Sequence, residues 1–163
     1  MIAQRHTVAA EAACRWPAAA LALAALAAPV DAAHAQASNA EAAIKRLVLD
    51  ASRALQSANA ALFMGLFDRS AFEGYAALRQ DVVALTAQCR IASSVAVGAI
   101  EEDGSGQWAA SVDWLLELSP KLDPGPIDRR HRAVRIAVRK RGKRWRIVDL
   151  APAGFFAPVP RQQ

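Results

Sequence analysis

Hydrophobic positions change period once along this chain. Ile44, Leu47, Val48, Ala51, Leu55 and Ala58 recur at helical spacing, with Lys45, Arg46, Asp50 and Arg53 off the stripe. That pattern predicts an amphipathic helix over about 39–58. Ser38-Asn39-Ala40-Glu41 has the form of a capping box, with serine at the N-cap and glutamate three positions on, and sets the predicted start. Asn59 opens a short apolar segment over 60–67, read as a second helix. Asp68, Arg69 and Ser70 break it, and Ser70 with Glu73 predicts the cap of a third helix over about 71–88. Phe72, Tyr75, Leu78, Val82, Leu85 and Cys89 mark the buried side of that helix.

After Cys89 the period becomes two. Ile91, Ser93, Val95, Val97 and Ala99 alternate with small residues, and the acidic, glycine-bearing stretch 101–106 reads as a turn. In the next strand Trp108, Ala110, Val112, Trp114, Leu116 and Leu118 share one face; Gln107, Ala109, Ser111, Asp113, Leu115 and Glu117 share the other. A proline-bearing loop over 119–128 leads to two strands, about 131–140 and 143–150, around Arg141-Gly142. Setting Lys140 opposite Lys143 predicts the pairs Val138/Trp145, Ile136/Ile147 and Val134/Asp149 on one face. A slip of one residue would turn arginines toward the core. Phe155 and Phe156 are expected to cover an open end of that core, and the tail over 159–163 to fray.

Composition changes the picture mainly at the N-terminus. Residues 1–37 begin with Arg5 and Arg15, continue through an uncharged run from Pro17 to Val30, and end in small residues at Ala33, Ala35 and Ala37. This predicts a secretory signal peptide cleaved near Ala35 or Ala37, and hence a periplasmic or secreted protein with a domain over 38–158. The apolar run would span roughly 21 Å as a helix, short of a hydrocarbon core of about 30 Å, which argues against an uncleaved anchor. The whole chain holds 20 Lys and Arg against 15 Asp and Glu. Taking away the two arginines and two acids of the leader leaves 18 and 13, so the net charge of +5 is unchanged. Only Cys89 and His131 survive from the two cysteines and three histidines. An internal disulfide is then impossible, a Cys/His zinc site is nearly excluded, and no cofactor is implied. A lone cysteine of this kind reads as buried and inert.

Helices followed by a run of antiparallel strands make an α+β architecture. About three N-terminal helices on a curved four-stranded antiparallel sheet form a half-open cone. The long first helix running into 59–68, the strand Ser111–Leu118, the closing strand Lys143–Leu150 and the Phe155-Phe156 pair carry a resemblance to the nuclear transport factor 2-like superfamily, the cystatin-like cone. The sequence resembles an exported, bacterial-type member. The resemblance covers about residues 39–158 and implies a fold; these stretches carry no catalytic motif. The early strand hairpin common in that superfamily is missing here or shrunk to a turn around 66–70.

An isomerase or cyclase in this fold would place a base and an oxyanion donor inside the cone. The candidates are Asp149, expected on the apolar face, and Tyr75, the sole tyrosine; His131 reads as a solvated strand-opening residue. A pocket between helices and sheet would be walled by Phe63, Phe67, Tyr75, Trp114, Leu116, Val138, Trp145 and Ile147. Charge offers a different surface. From Arg129 to Arg146 there are ten Lys or Arg residues and no acid. The predicted register puts Arg135, Arg139, Arg144 and Arg146 on one outward face, where only Asp113 and Glu117 are available to neutralise them. Three readings follow. The first is a non-enzymatic exported domain binding a small apolar ligand or a protein partner. The second is an isomerase or cyclase using Asp149 and Tyr75. The third is an envelope-interaction module acting through the basic hairpin on an anionic surface, with a homodimer through the sheet as one form. Export disfavours a nucleic-acid partner.

Overall fold

The computed structural model describes residues 29–122 and 125–160. The predicted leader up to residue 28 and the last three residues of the tail lie outside the described residues. The elements are α1 (Pro29–Gln56), α2 (Ala60–Met64), α3 (Tyr75–Gln88), β1 (Cys89–Glu102), β2 (Gln107–Pro120), β3 (Asp128–Arg141) and β4 (Arg144–Ala151), closed by a 3-10 turn, Ala153–Phe156. The strands form one antiparallel meander in the order β1-β2-β3-β4. The three helices pack on one face of this sheet, giving the open-sided α+β cone expected from the sequence. No described helix is long and apolar enough to cross a membrane.

The first helix starts earlier than its capping box predicts. Ser38 lies inside it, its hydroxyl donating to the Ala35 carbonyl at 3.0 Å. The preceding stretch is alanine-rich and opens on a proline, the residue tolerated at a first helical position, so nothing there halts the helix. The far end is closed by Ala58 in a left-handed conformation (φ 51°). The Asn59 amide then reaches back to the Ala54 carbonyl at 2.9 Å, satisfying an orphaned acceptor.

Asn59 caps α2 as its position suggests, accepting from the Leu62 amide at 2.9 Å. The helix stops at Met64 rather than 67 because the chain leaves to run beside β4. Ile147 donates to the Leu66 carbonyl at 3.0 Å, and the Asp68 amide donates to Ile147 at 2.8 Å. This single parallel bridge, Phe67 to Ile147, covers the β4 edge where the sequence lacks an early hairpin. Asp68 then engages Ser70 through its amide (3.0 Å) and hydroxyl (2.6 Å). Ser70 is therefore held in a turn and does not cap α3, which begins four residues later than expected, behind Gly74.

The β3–β4 register is shifted by two residues from the expected one. The turn is Gly142-Lys143, and Arg141 faces Arg144. Gly142 has φ 60°, and placing it first in the two-residue turn relieves arginine of that conformation. A shift of two keeps every residue on its predicted face, so Val138 still faces inward, now opposite Ile147. A bulge then intervenes: Ala137 pairs with Asp149 instead of Val148. The extra residue reverses the alternation, burying Leu150 and turning Asp149 out to solvent.

Candidate functional site

The concave face of the sheet is packed solid by side chains the sequence places there. Phe63, Trp114, Leu116, Val138 and Ile147 are fully enclosed, and Phe67 nearly so. Trp114 meets Phe156 edge to face at 5.1 Å, and Phe63 stands 5.4 Å from Phe156. The closing 3-10 turn thus delivers Phe155 and Phe156 into the cone, as the sequence suggests. Six of the eight expected pocket-wall residues are therefore core; only Tyr75 and Trp145 stay half-buried.

Arg130 holds this plug in place. It belongs to the basic run but points along the inner side of the sheet. Its Nε donates to Asp128 at 2.9 Å, and its Nη1 donates to the carbonyls of Phe155 (3.0 Å) and Ala157 (2.5 Å). Sequence reasoning missed this role because Arg130 was counted with the surface charge. The signal was parity: Arg130 alternates in phase with Val134, Ile136 and Val138.

Among the described residues the buried polar side chains are Ser52, Thr86 and Ser93. Ser52 and Ser93 share a hydrogen bond at 2.8 Å, and Trp114 donates its indole N–H to Ser93 Oγ at 2.9 Å. Gln56 donates to the Ser93 carbonyl, and Thr86 bonds back to Val82 at 2.8 Å. These three hydroxyls are satisfied, so the network fixes α1 and Trp114 against the sheet. Cys89 is buried, and burial pushes its thiol pKa up. No group of three His, Cys, Asp or Glu side chains among the described residues could hold a metal ion.

The two expected catalytic residues are not brought together. Tyr75 opens α3 on the helical side of the molecule, whereas Asp149 is exposed on the outer face of β4. His131, expected to be solvated, is exposed but contacts Asp113 at 2.7 Å.

The basic run divides by environment. Arg129 pairs with Glu117 at 2.9 Å, Arg139 is half-buried against Gln107, and Arg141 pairs with Asp68 at 2.8 Å. Arg146 donates to the Gly65 carbonyl at the end of α2. The four arginines expected on one outward face are thus split: Arg135 and Arg144 are exposed, while Arg139 and Arg146 are committed to neighbours. Asp113 contacts His131, and Glu117 pairs with Arg129 instead.

Open space lies outside the cone. A trough of about 890 Å³ runs between α2 and α3. Its α3 wall is Tyr75, Ala76, Arg79, Gln80, Val83, Ala84 and Ala87; across from it stand Ala60, Ala61, Met64 and Gly65. These α3 residues form a second helical stripe, rotated from the buried one of Leu78, Val82 and Leu85. Val83 is 48% exposed there. Arg69 and Arg79 border the trough, with no acid in its lining. At Met64, Gly65, Arg69 and Tyr75 it borders a smaller cleft of about 460 Å³, where Arg141, Arg146, Asp68 and Ser70 join the wall. Ser70 first, then Arg141, holds the Asp68 carboxyl below the usual carboxylate range.

A third opening of about 780 Å³ lies between α1 and the hairpin tips. Trp108 and Trp145 meet edge to face at 6.3 Å beside it, and its wall includes Ala35, Ala37 and Lys140.

No family model matches the chain, and no curated protein matches it. Solved structures do. A candidate scytalone dehydratase from Novosphingobium aromaticivorans superposes with a TM-score of 0.65 at 14% identity, over 72% of this chain and 85% of that one. A candidate aromatic ring hydroxylase from the same organism gives 0.55 at 15%, over 66% and 83%. A protein of unknown function from Mycobacterium tuberculosis gives 0.58 at 16%, over 77% and 75%. At such identities the likeness is one of fold, and the fold this chain shares with them is the nuclear transport factor 2-like cone.

Proposed function

We propose that this is an exported, non-enzymatic cone-fold domain that binds a small amphipathic anion along the α2–α3 trough. The observation that carries this reading is an open apolar groove bordered by Arg69 and Arg79 with no acid in its lining. Neither arginine makes an ion pair with a described residue. Burying an alkyl chain against Met64, Val83 and the alanines supplies affinity, and the guanidinium groups supply the preference for a negative head.

The enzyme names belong to the neighbours. For this chain, support for a binding role comes from the cone itself: the hydroxyls of Ser52, Thr86 and Ser93 already have partners, and Tyr75 and Asp149 lie on different elements, with Asp149 exposed.

Isothermal calorimetry with decanoate and decanol tests the reading. The carboxylate binds at least about ten-fold more tightly than the alcohol, and the double substitution Arg69→Ala, Arg79→Ala removes that preference. Equal binding of the two ligands, or a preference that survives in the double variant, would overturn it.

A further inference from the structure

Resting on that reading, we infer that the head group accepted at the end of the trough is a phosphate monoester dianion. The ligand is then an alkyl or acyl phosphate rather than a carboxylate. The trough and the smaller cleft adjoin, because Met64, Gly65, Arg69 and Tyr75 line both. The apolar part lies along α2 and α3. The end formed with the β3–β4 hairpin contains three guanidinium groups, Arg69, Arg141 and Arg146, and one carboxylate, Asp68.

The charge balance at that end decides the chemistry. Three positive charges against one negative leave +2, which matches a phosphate monoester above its second ionisation near pH 6 and exceeds what one carboxylate can neutralise. The carboxylate is already engaged. Asp68 accepts from Ser70 and from Arg141 Nε, and its side chain is only 12% exposed. It therefore orients Arg141 from the cleft wall. Arg141 spends one of its five N–H groups on Asp68, and Arg146 spends Nη1 on the Gly65 carbonyl. The donors left over suit several phosphate oxygens at once.

Two more features face the same end. Tyr75, a wall residue of both spaces, offers a phenol hydroxyl. It is also the first residue of α3, a helix with no side-chain cap and no acid in its first turn, so no carboxylate of that turn competes with an anion beside it. Together these give Tyr75 a use that does not involve Asp149.

The experiment compares four ligands on the full domain: dodecyl phosphate, dodecyl sulfate, dodecanoate and inorganic phosphate, each at pH 7.5 and pH 5.5. Dodecyl phosphate binds about ten-fold more tightly than dodecyl sulfate or dodecanoate at pH 7.5, and loses most of that advantage at pH 5.5 as its second proton returns. The double substitution Arg141→Gln, Arg146→Gln lowers dodecyl phosphate binding to the level of dodecanoate measured on the same variant, with thermal unfolding confirming that the variant is folded. Inorganic phosphate competes only at millimolar concentration. If it displaces the alkyl phosphate at micromolar concentration, the site takes free phosphate and the lipid-like ligand is wrong. If dodecyl phosphate binds no better than dodecanoate, the head-group inference fails and the trough reading stands. If none of the alkyl anions binds, the trough reading fails with it.

Discussion

The concave face of the sheet and the α2–α3 trough use similar side chains and end in opposite states. On the concave face, Trp114, Phe63 and the strand aliphatics are covered by α1 and by Phe155 and Phe156 from the C-terminal turn. In the trough, Val83 and a row of alanines meet no third layer. Both surfaces are apolar. The difference is whether the chain returns to cover them, and it returns only over the cone, held there by Arg130. In this fold a resemblance of backbone thus says little about where a ligand enters. A few residues after the last strand decide whether the cone is a pocket or a core.

The largest expected effect probes the closed side. Trp114→Ala destabilises the domain by about 4 kcal/mol in chemical denaturation, because the ring is enclosed and its N–H is committed to Ser93. A loss under about 1 kcal/mol would mean the cone is open and the comparison false. Next comes the latch. Arg130→Ala costs about 2 kcal/mol, since it leaves two carbonyls of the plug without their donor. It should also raise binding of a hydrophobic dye, as Phe155 and Phe156 loosen; unchanged dye binding would separate Arg130 from the plug.

The open side predicts the reverse balance. Val83→Asp changes stability by less than about 0.5 kcal/mol, because the position is half exposed, yet it abolishes decanoate binding. A variant that unfolds would show that Val83 supports the core.

The smallest effect is electrostatic and depends on pH. The Asp68 carboxyl is depressed by Ser70 and Arg141, so its contribution is present above its ordinary value of 3.8 and is lost as pH falls through the depressed one. Asp68→Asn therefore lowers the unfolding temperature slightly at pH 6, and the gap from the parent chain closes in strong acid. A gap that persists unchanged would assign the effect to packing.

Much of this was legible in the sequence. The strict alternation from Trp108 to Leu118 requires a half-buried strand, and Phe155-Phe156 after the last strand reads as a cover because proline prevents the strand from continuing. What escaped depended on single residues acting against a pattern. The bulge at Val148 reverses the face of Asp149, and nothing in an alternating run announces an extra residue. Gly142 could take either central place in the turn, and only its positive φ sets the register. The serine at 38 looks like a cap, but a helix already under way in alanine-rich sequence overrides it. The trough was hidden because alanine counts as helix filler. Ala76, Ala84 and Ala87 gain meaning only when Val83 and Arg79 are seen to share their side of α3.

The central claim is that recognition happens outside the cone. Methyl-resolved NMR during a dodecanoate titration tests it most directly. The expected shifts are confined to Met64, Val83, Ala76, Ala84 and neighbouring trough methyls, while Leu116, Ile136, Val138 and Ile147 stay in place. Shifts concentrated on those four core residues, with Val83 unmoved, would contradict it.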